Sequence, residues 1–464
     1  MQGDIKNKLQ LPLRVKVTDD ILVTSELIEY CIDKNKVNIA RCKLLNNYYN
    51  NETAIQYRKS DDPDKPNNKI SHAFARYITK IATAYFMGNG VRYETKLRKY
   101  KKELDEILNA NMTKIKHFEE ANKMSKCGIS FELLFINAEG KLKTQFYAAD
   151  EMIPVFSQTP GNFLTMVLRP YEITGINASS PIVKYVDVYT RSYIYTWQKT
   201  GGKSWELKEK FSHNFSDVPV IVRFNNTEAK SDFEDVIPQI DAYDKAQSDT
   251  ANDLDYFTNA YLVFNGLDDI QGVDDEGNEL SSDATAKLMN RNRMIFLPTG
   301  GEAGFITKNE NDTTSENHKK RVYKDIFFLS QVPNLTDEEF AGNLSGVAIK
   351  YKLFGLEELS IEKETYFTSS ELKKVRLITE YINALKNTSY DWKNVTLKFD
   401  RSAVANTYEI AQIMNLLRDL LSDETLVAMF PGITDVTAEL QRKLTQQQQS
   451  ENSFLPPVTD GEVF

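Results

Sequence analysis

Histidine and cysteine are scarce in this chain of 464 residues. The four histidines, His72, His117, His213 and His318, include no pair at metal-ligand spacing, and no His-Glu-x-x-His occurs. Cys31, Cys42 and Cys127 are odd in number and far apart, so they form neither a disulfide framework nor a Cys-x-x-Cys metal pair. Gly-x-Ser-x-Gly is absent, which removes the usual hydrolase elbow. A phosphate loop is absent too. Gly201-Gly202-Lys203-Ser204 comes nearest, but Trp197 stands where the first glycine of such a loop is required. Its flanks, 183–189, 193–199 and 204–210, alternate as strands, so Thr200–Lys203 is expected as a hairpin turn. No apolar run approaches the roughly 18 residues of a membrane span. The first thirty residues hold charges and Pro12 where a signal peptide needs an apolar core, so assembly in the cytoplasm is expected. Basic residues are outnumbered, 57 against 66, for a net charge of −9. A basic nucleic-acid coat is thereby excluded, and any nucleic-acid contact is local or non-adhesive. No catalytic residue, metal ligand or cofactor site is expected.

What is present is soluble globular composition, 41% hydrophobic and 27% charged, in a chain long enough for about three domains. Residues 1–65 are mixed and polar. The Ser60–Asn68 stretch, with two prolines and clustered Asp and Asn, is a loop from which Asn67 or Asn68 is expected to cap a helix. That helix carries Ile70, Ala73, Phe74, Tyr77, Ile78, Ile81 and Tyr85 at three-four spacing and stops at Gly88 and Gly90. A basic run follows, from Arg92 through Lys102, which is either a solvated face or a phosphate contact. A second helix is expected over 101–127 and a β-rich body over 128–225.

Residues 231–262 are expected as one helix with a heptad-like stripe, Ile240, Tyr243, Gln247, Thr250, Leu254, Phe257 and Tyr261. Its acids include Asp241, Asp244, Asp249 and Asp253, which avoid the stripe. Two readings stand: a solvated acidic face, or a helix between subunits with acids turned to a channel. A compact module over 263–313 opens acidic, with Asp268, Asp269, Asp274, Asp275 and Glu276, and holds a short helix (283–290) and a strand (293–297). A helix over 315–331 returns with Lys319, Lys320, Arg321 and Lys324. The next loop carries Leu335, Asp337, Glu338, Glu339, Phe340 and Asn343. It opens into the longest helical pattern, 346–386, about 60 Å at 1.5 Å per residue, with Gly355 as a bend. A strand at 395–399, helices at 408–421, 423–429 and 434–446, and a frayed Gln-rich tail complete the chain.

Four stretches resemble portal proteins of tailed double-stranded-DNA phages, of the siphophage type. They are Asp61 to Gly88, Phe340-Ala341-Gly342-Asn343-Leu344-Ser345-Gly346-Val347-Ala348 into the long helix, Phe399-Asp400-Arg401 with Tyr408-Glu409, and Leu421 to Arg442. The resemblance implies a mixed α/β portal fold and a closed ring oligomer, with α-helical stem and crown, a β-rich wing, a small α/β clip and one very long helix. Carried over by position, the wing is 1–235, the stem helices are 236–262 and 315–331, and the clip is 263–314. The tunnel loop is 332–345, the long helix with a wing strand is 346–400, and the crown with its tail is 401–464. It also implies a ring of twelve at one capsid vertex, through which terminase packages DNA and from which DNA exits. The implied partners are further copies of the chain, DNA in transit, terminase large subunit, major capsid and scaffolding proteins, and a head-completion adaptor, with no membrane. In that frame the loop residues named above line the constriction, the acids at 241–253 form a stem face, and those at 268–276 a docking surface. Lys319, Lys320, Arg321 and Lys324 either touch phosphate or neutralise a neighbour's acidic stem. Two other classes are distinguishable. Another structural component of a phage-like particle would form a filament or a ring without an axial hole. A DNA-processing enzyme would show ATPase or nuclease activity.

Overall fold

A computed structural model describes residues 13–15, 23–60, 65–158, 160–161, 163–173, 182–258, 262–265, 294–297, 312–335, 346–401, 407–430, 433 and 436–453. The chain forms two compact units, residues 1–334 with 355–401, and residues 335–354 with 402–464.

The first unit holds all the described sheets. A short strand β1 (Leu13–Val15) precedes α1 (Ser25–Tyr49), whose start Thr24 caps by accepting from the Leu27 N–H at 3.3 Å. This 25-residue helix lies within the stretch expected only to be mixed and polar. Its buried residues, Ile28, Cys31, Asn35, Asn38, Cys42, Leu45 and Tyr48, keep helical spacing, but asparagine and cysteine among them mute the apolar signal. The next helix, α2 (Phe74–Met87), starts later than expected, and neither Asn67 nor Asn68 caps it. Residues 68–72 run outside the helix, for a reason given below. β2 (Val91–Glu94) leads to α3 (Arg98–Ala110) and α4 (Thr113–Cys127), in place of one helix over 101–127. The break sits at Asn111 and Met112. Met112 is left-handed at φ 52°, and the Asn111 side-chain amide donates to the Ile107 and Leu142 carbonyls at 2.9 and 3.2 Å.

The β-rich body follows as expected: β3 (Ile129–Ile136), β4 (Leu142–Tyr147), β5 (Ile153–Ser157), β6 (Leu164–Ile173), β7 (Val183–Tyr189), β8 (Tyr193–Thr200), β9 (Glu206–Ser212) and β10 (Val220–Phe224). One sheet has the order β1-β5-β6-β7-β8-β9 and another β10-β3-β4. Gly201, at φ 64°, turns β8 back onto β9, so Gly201-Gly202-Lys203 is a hairpin and not a phosphate cradle. The inward face of the larger sheet, with Val155, Met166, Leu168, Val186, Val188 and Trp197, packs on Ile28 and Cys31 of α1.

A helix α5 (Ile237–Thr258), a parallel strand pair β11 (Leu262–Asn265) and β12 (Met294–Leu297), and a helix α6 (Asp312–Ser330) come next. The pattern expected as one helix over 346–386 is two, α7 (Gly346–Lys352) and α8 (Phe354–Lys386), with Leu353 between them. Helix α8 alone, 33 residues, runs about 50 Å. Its Val375, Ile378 and Ile382 share a core with Tyr100 and Leu104 of α3, and its Phe367 packs with Phe86 and Met124. β13 (Thr396–Phe399) pairs antiparallel with β2.

The second unit holds α7 with α9 (Thr407–Leu417), α10 (Asp423–Ala428) and α11 (Val436–Ser453). The Ser422 hydroxyl caps α10 by accepting from the Thr425 N–H at 3.3 Å, and Lys443 of α11 pairs with Asp423 at 2.8 Å. Helix α11 continues to Ser453, past the expected onset of a frayed tail at 446, because glutamine is a good helix former.

Candidate functional site

The α5–α6 hairpin carries most of the candidate residues that the structure describes. The two helices pack antiparallel through aromatic rings: Tyr243 lies 5.8 Å from Tyr323, and Phe74 of α2 lies 5.8 and 6.0 Å from Tyr323 and Phe327. Thr250 meets Ser315 at the other end, with hydroxyl oxygens 3.4 Å apart. The heptad-like stripe read from the sequence supplies this seam through Tyr243 and Thr250.

A second stripe on α5 was not legible from hydropathy because it is polar. Asp244, Ser248 and Asn252 stand one turn apart and accept from the backbone N–H groups of His72, Ile70 and Asn68 at 3.0, 2.9 and 2.6 Å. The spacings match physically. Four helical residues rise about 6 Å and two extended residues about 6.6 Å, so alternate N–H groups of an extended segment meet successive helical turns. This docking holds 68–72 extended and delays the start of α2. Asp244 is fully buried and also accepts from the Thr53 hydroxyl at 2.6 Å and contacts His72 Nδ1 at 2.8 Å.

The acids of α5 are therefore largely committed within the chain. Asp241 accepts from the Tyr48 hydroxyl at 2.7 Å, and burial pushes its carboxyl above the usual aspartate range. Asp249 pairs with Arg58 at 2.6 Å. Asp253 is half-buried. This corrects the expectation of one acidic face turned outward: Asp241 and Asp244 point into the fold, since each closes a contact between α5 and residues 48–72. On α6, Lys319 is likewise buried, against Glu316 and 3.5 Å from the Thr250 hydroxyl. Lys320, Arg321 and Lys324 are exposed and make no ion pair with any described residue. Phe328, one turn beyond Lys324, is 80% exposed.

Leu335 is exposed. Asp337, Glu338, Glu339, Phe340 and Asn343 lie outside the described residues, as do Asp268, Asp269, Asp274, Asp275 and Glu276.

A buried cluster of ionisable side chains, not legible in the sequence, lies within the first unit. His117, Glu132 and Glu371 bring ligand-type atoms within 4.8 Å of one another, all buried. Their charge is already met by side chains. Arg223 lies 2.8, 2.7 and 2.6 Å from Glu120, Glu132 and Glu371, and Lys374 lies 2.8 Å from Glu132. Tyr93 donates to Glu371 at 2.5 Å, and the Arg223 guanidinium lies 4.4 Å from the Phe367 ring centre. Burial pushes Glu120 up to about 8, so it is neutral at pH 7. Burial acts the same way on Glu371, but Lys374 and Arg223 outweigh it and hold that carboxylate well below its usual range. Burial pushes His117 down, so it is neutral. Two carboxylates then balance two cations. This is a closed ionic knot joining α4, β3, β10 and α8, with protein ammonium and guanidinium groups where a metal would stand.

With no catalytic constellation among the described residues, comparison carries the identification. The profile of the family described as phage portal protein, SPP1 Gp6-like, matches residues 28–453. The portal protein of Bacillus phage SPP1 is 23% identical over 399 residues, which cover 82% of this chain and 76% of that protein. The portal protein of Clostridium phage phiCD119 is 24% identical over 420 residues, covering 84% of this chain and 88% of that protein. A family match across nearly the whole chain, over elements in the order the sequence motifs required, decides the matter: the chain belongs to the phage portal protein family.

Proposed function

We propose that the chain closes into a ring of twelve around an axial channel at one capsid vertex. Terminase drives double-stranded DNA in through that channel, and the DNA leaves by it on infection. The observation that carries this reading is the family match over residues 28–453, and the hairpin of α5 and α6 flanking an inserted module supports it. In this reading 1–235 form the wing, α5 and α6 the stem, 263–314 the clip, 332–345 the tunnel loop and 401–464 the crown with its tail. The ring also nucleates head assembly with the capsid and scaffolding proteins.

Asp337, Glu338 and Glu339 form acidic belts at the constriction, with Leu335 or Phe340 as an apolar tip. DNA carries about one negative charge per 1.7 Å of axis, so an acidic wall repels it and lets it slide. Lys320, Arg321 and Lys324 contact phosphates at a few levels along the stem. The alternative, neutralising a neighbour's stem acids, is weakened because Asp241, Asp244 and Asp249 already have partners within their own chain. Lys319 takes no part, because it is buried. The acids at 268–276 dock terminase or the head-completion adaptor.

A packaging assay tests the channel. Replacing Asp337, Glu338 and Glu339 together with lysine should cut packaged DNA per head at least tenfold while rings still form. Wild-type amounts of packaged DNA in those heads would sink the constriction assignment. Removing the three exposed stem cations, as Lys320→Gln, Arg321→Gln and Lys324→Gln, should alter packaging rate and its salt dependence. An identical rate at 50 and 200 mM salt would contradict the phosphate contact.

A further inference from the structure

The basic run that the sequence left open, as solvated face or phosphate contact, is resolved into a surface by α3. Residues 95–102 contain Lys96, Arg98, Lys99, Lys101 and Lys102 and no acid, in a chain of net charge −9. Lys101 pairs with Asp105 one turn on. Lys96, Arg98, Lys99 and Lys102 are exposed and pair with no described residue. Tyr100, between them, is fully buried and stacks on Tyr390 at 4.8 Å, which fixes the helix so that its cations stay outside.

Their placement does not serve the helix. Arg98 and Lys99, in the first turn, oppose the helix dipole, and Leu97 supplies no side-chain cap. An external polyanion would offset that repulsion, and Arg98 and Lys102 stand one turn, about 6 Å, apart along the axis.

We infer that this face of α3 is a second nucleic-acid contact, binding the phosphate backbone of double-stranded DNA on the outside of the protein, without base specificity. It does not depend on the channel reading, because it uses neither the stem nor the tunnel loop. Four neutralised phosphates give a slope of log affinity against log salt of about −3.6. Binding should therefore weaken about 150-fold between 50 and 200 mM salt.

The test uses the full-length assembled protein and a closed circular duplex, which has no free end to thread an axial channel. Wild type should bind it at 50 mM salt with the stated slope. The variant Lys96→Gln, Arg98→Gln, Lys99→Gln, Lys102→Gln should bind at least tenfold more weakly and lose 3–4 units of slope. It should keep its Tm, because glutamine relieves the dipole repulsion. Absence of circle binding by wild type, or equal binding by the α3 variant, overturns the inference. So does loss of capsid- or scaffolding-protein capture by that variant with DNA binding intact, which would assign the face to an acidic protein.

Discussion

Arg223 sets the stakes at the scale of single residues. It is fully buried, reaches the carboxyl groups of Glu120, Glu132 and Glu371, and stacks over Phe367. Removing one partner of a buried ion cluster leaves uncompensated charge, which costs about 3–5 kcal/mol. Arg223→Met should lower stability by that amount, and a urea midpoint unchanged from wild type would contradict the assignment. Glu120 gives a pH-dependent test. Burial raises its folded-state pKa from the ordinary 4.5 to about 8. Between those values the folded chain holds a proton that the unfolded chain has released, so this group's contribution to stability falls as pH rises from 5 to 8. Glu120→Gln mimics the neutral carboxyl. It should stay within about 1 kcal/mol of wild type at pH 6 and flatten the decline towards pH 8. Urea midpoints at pH 5, 6.5 and 8 report both. None of this was legible in the sequence. Glu120, Glu132, Arg223 and Glu371 sit on four elements, and a buried charge looks like an exposed one until the fold brings its partners.

Among elements, legibility follows the chemistry of the buried face. Apolar residues at three-four spacing revealed α2, though its start lies later than expected, whereas the stripe of α5 was legible as a stripe but not as the seam with α6 that Tyr243 forms. Helix α1 was missed because its buried face contains Asn35, Asn38, Cys31 and Cys42. The early start assigned to α2 has a physical cause: the N–H groups of 68, 70 and 72 are satisfied by α5 side chains rather than by helical turns. Asp244→Ala should strip that segment of its anchor and leave Thr53 and His72 without their acceptor, costing about 2–3 kcal/mol. Protease cleavage near residues 68–72 should rise with it, and a cleavage pattern identical to wild type would contradict the docking. Gly128 ends α4 in the same spirit. It adopts φ 82°, and a Cβ there would lie 1.8 Å from the Ala229 carbonyl oxygen. Gly128→Ala should therefore destabilise by more than about 1–2 kcal/mol.

For the whole molecule, family membership makes this chain a structural protein of the phage capsid. No described helix is long and apolar enough to cross a membrane. The order of motifs along the chain made the family legible, whereas the assembly is a property of many chains and leaves only indirect marks in one. In this chain helix α6 exposes Lys320, Arg321, Lys324 and Phe328. A ring needs two different complementary surfaces per subunit, and closure fixes their number. Electron microscopy of the purified protein, with its mass in solution, tests this most directly. A holed ring of twelve 53.2 kDa chains, about 640 kDa, is the expected result. A filament, or a disc without an axial hole, would contradict it.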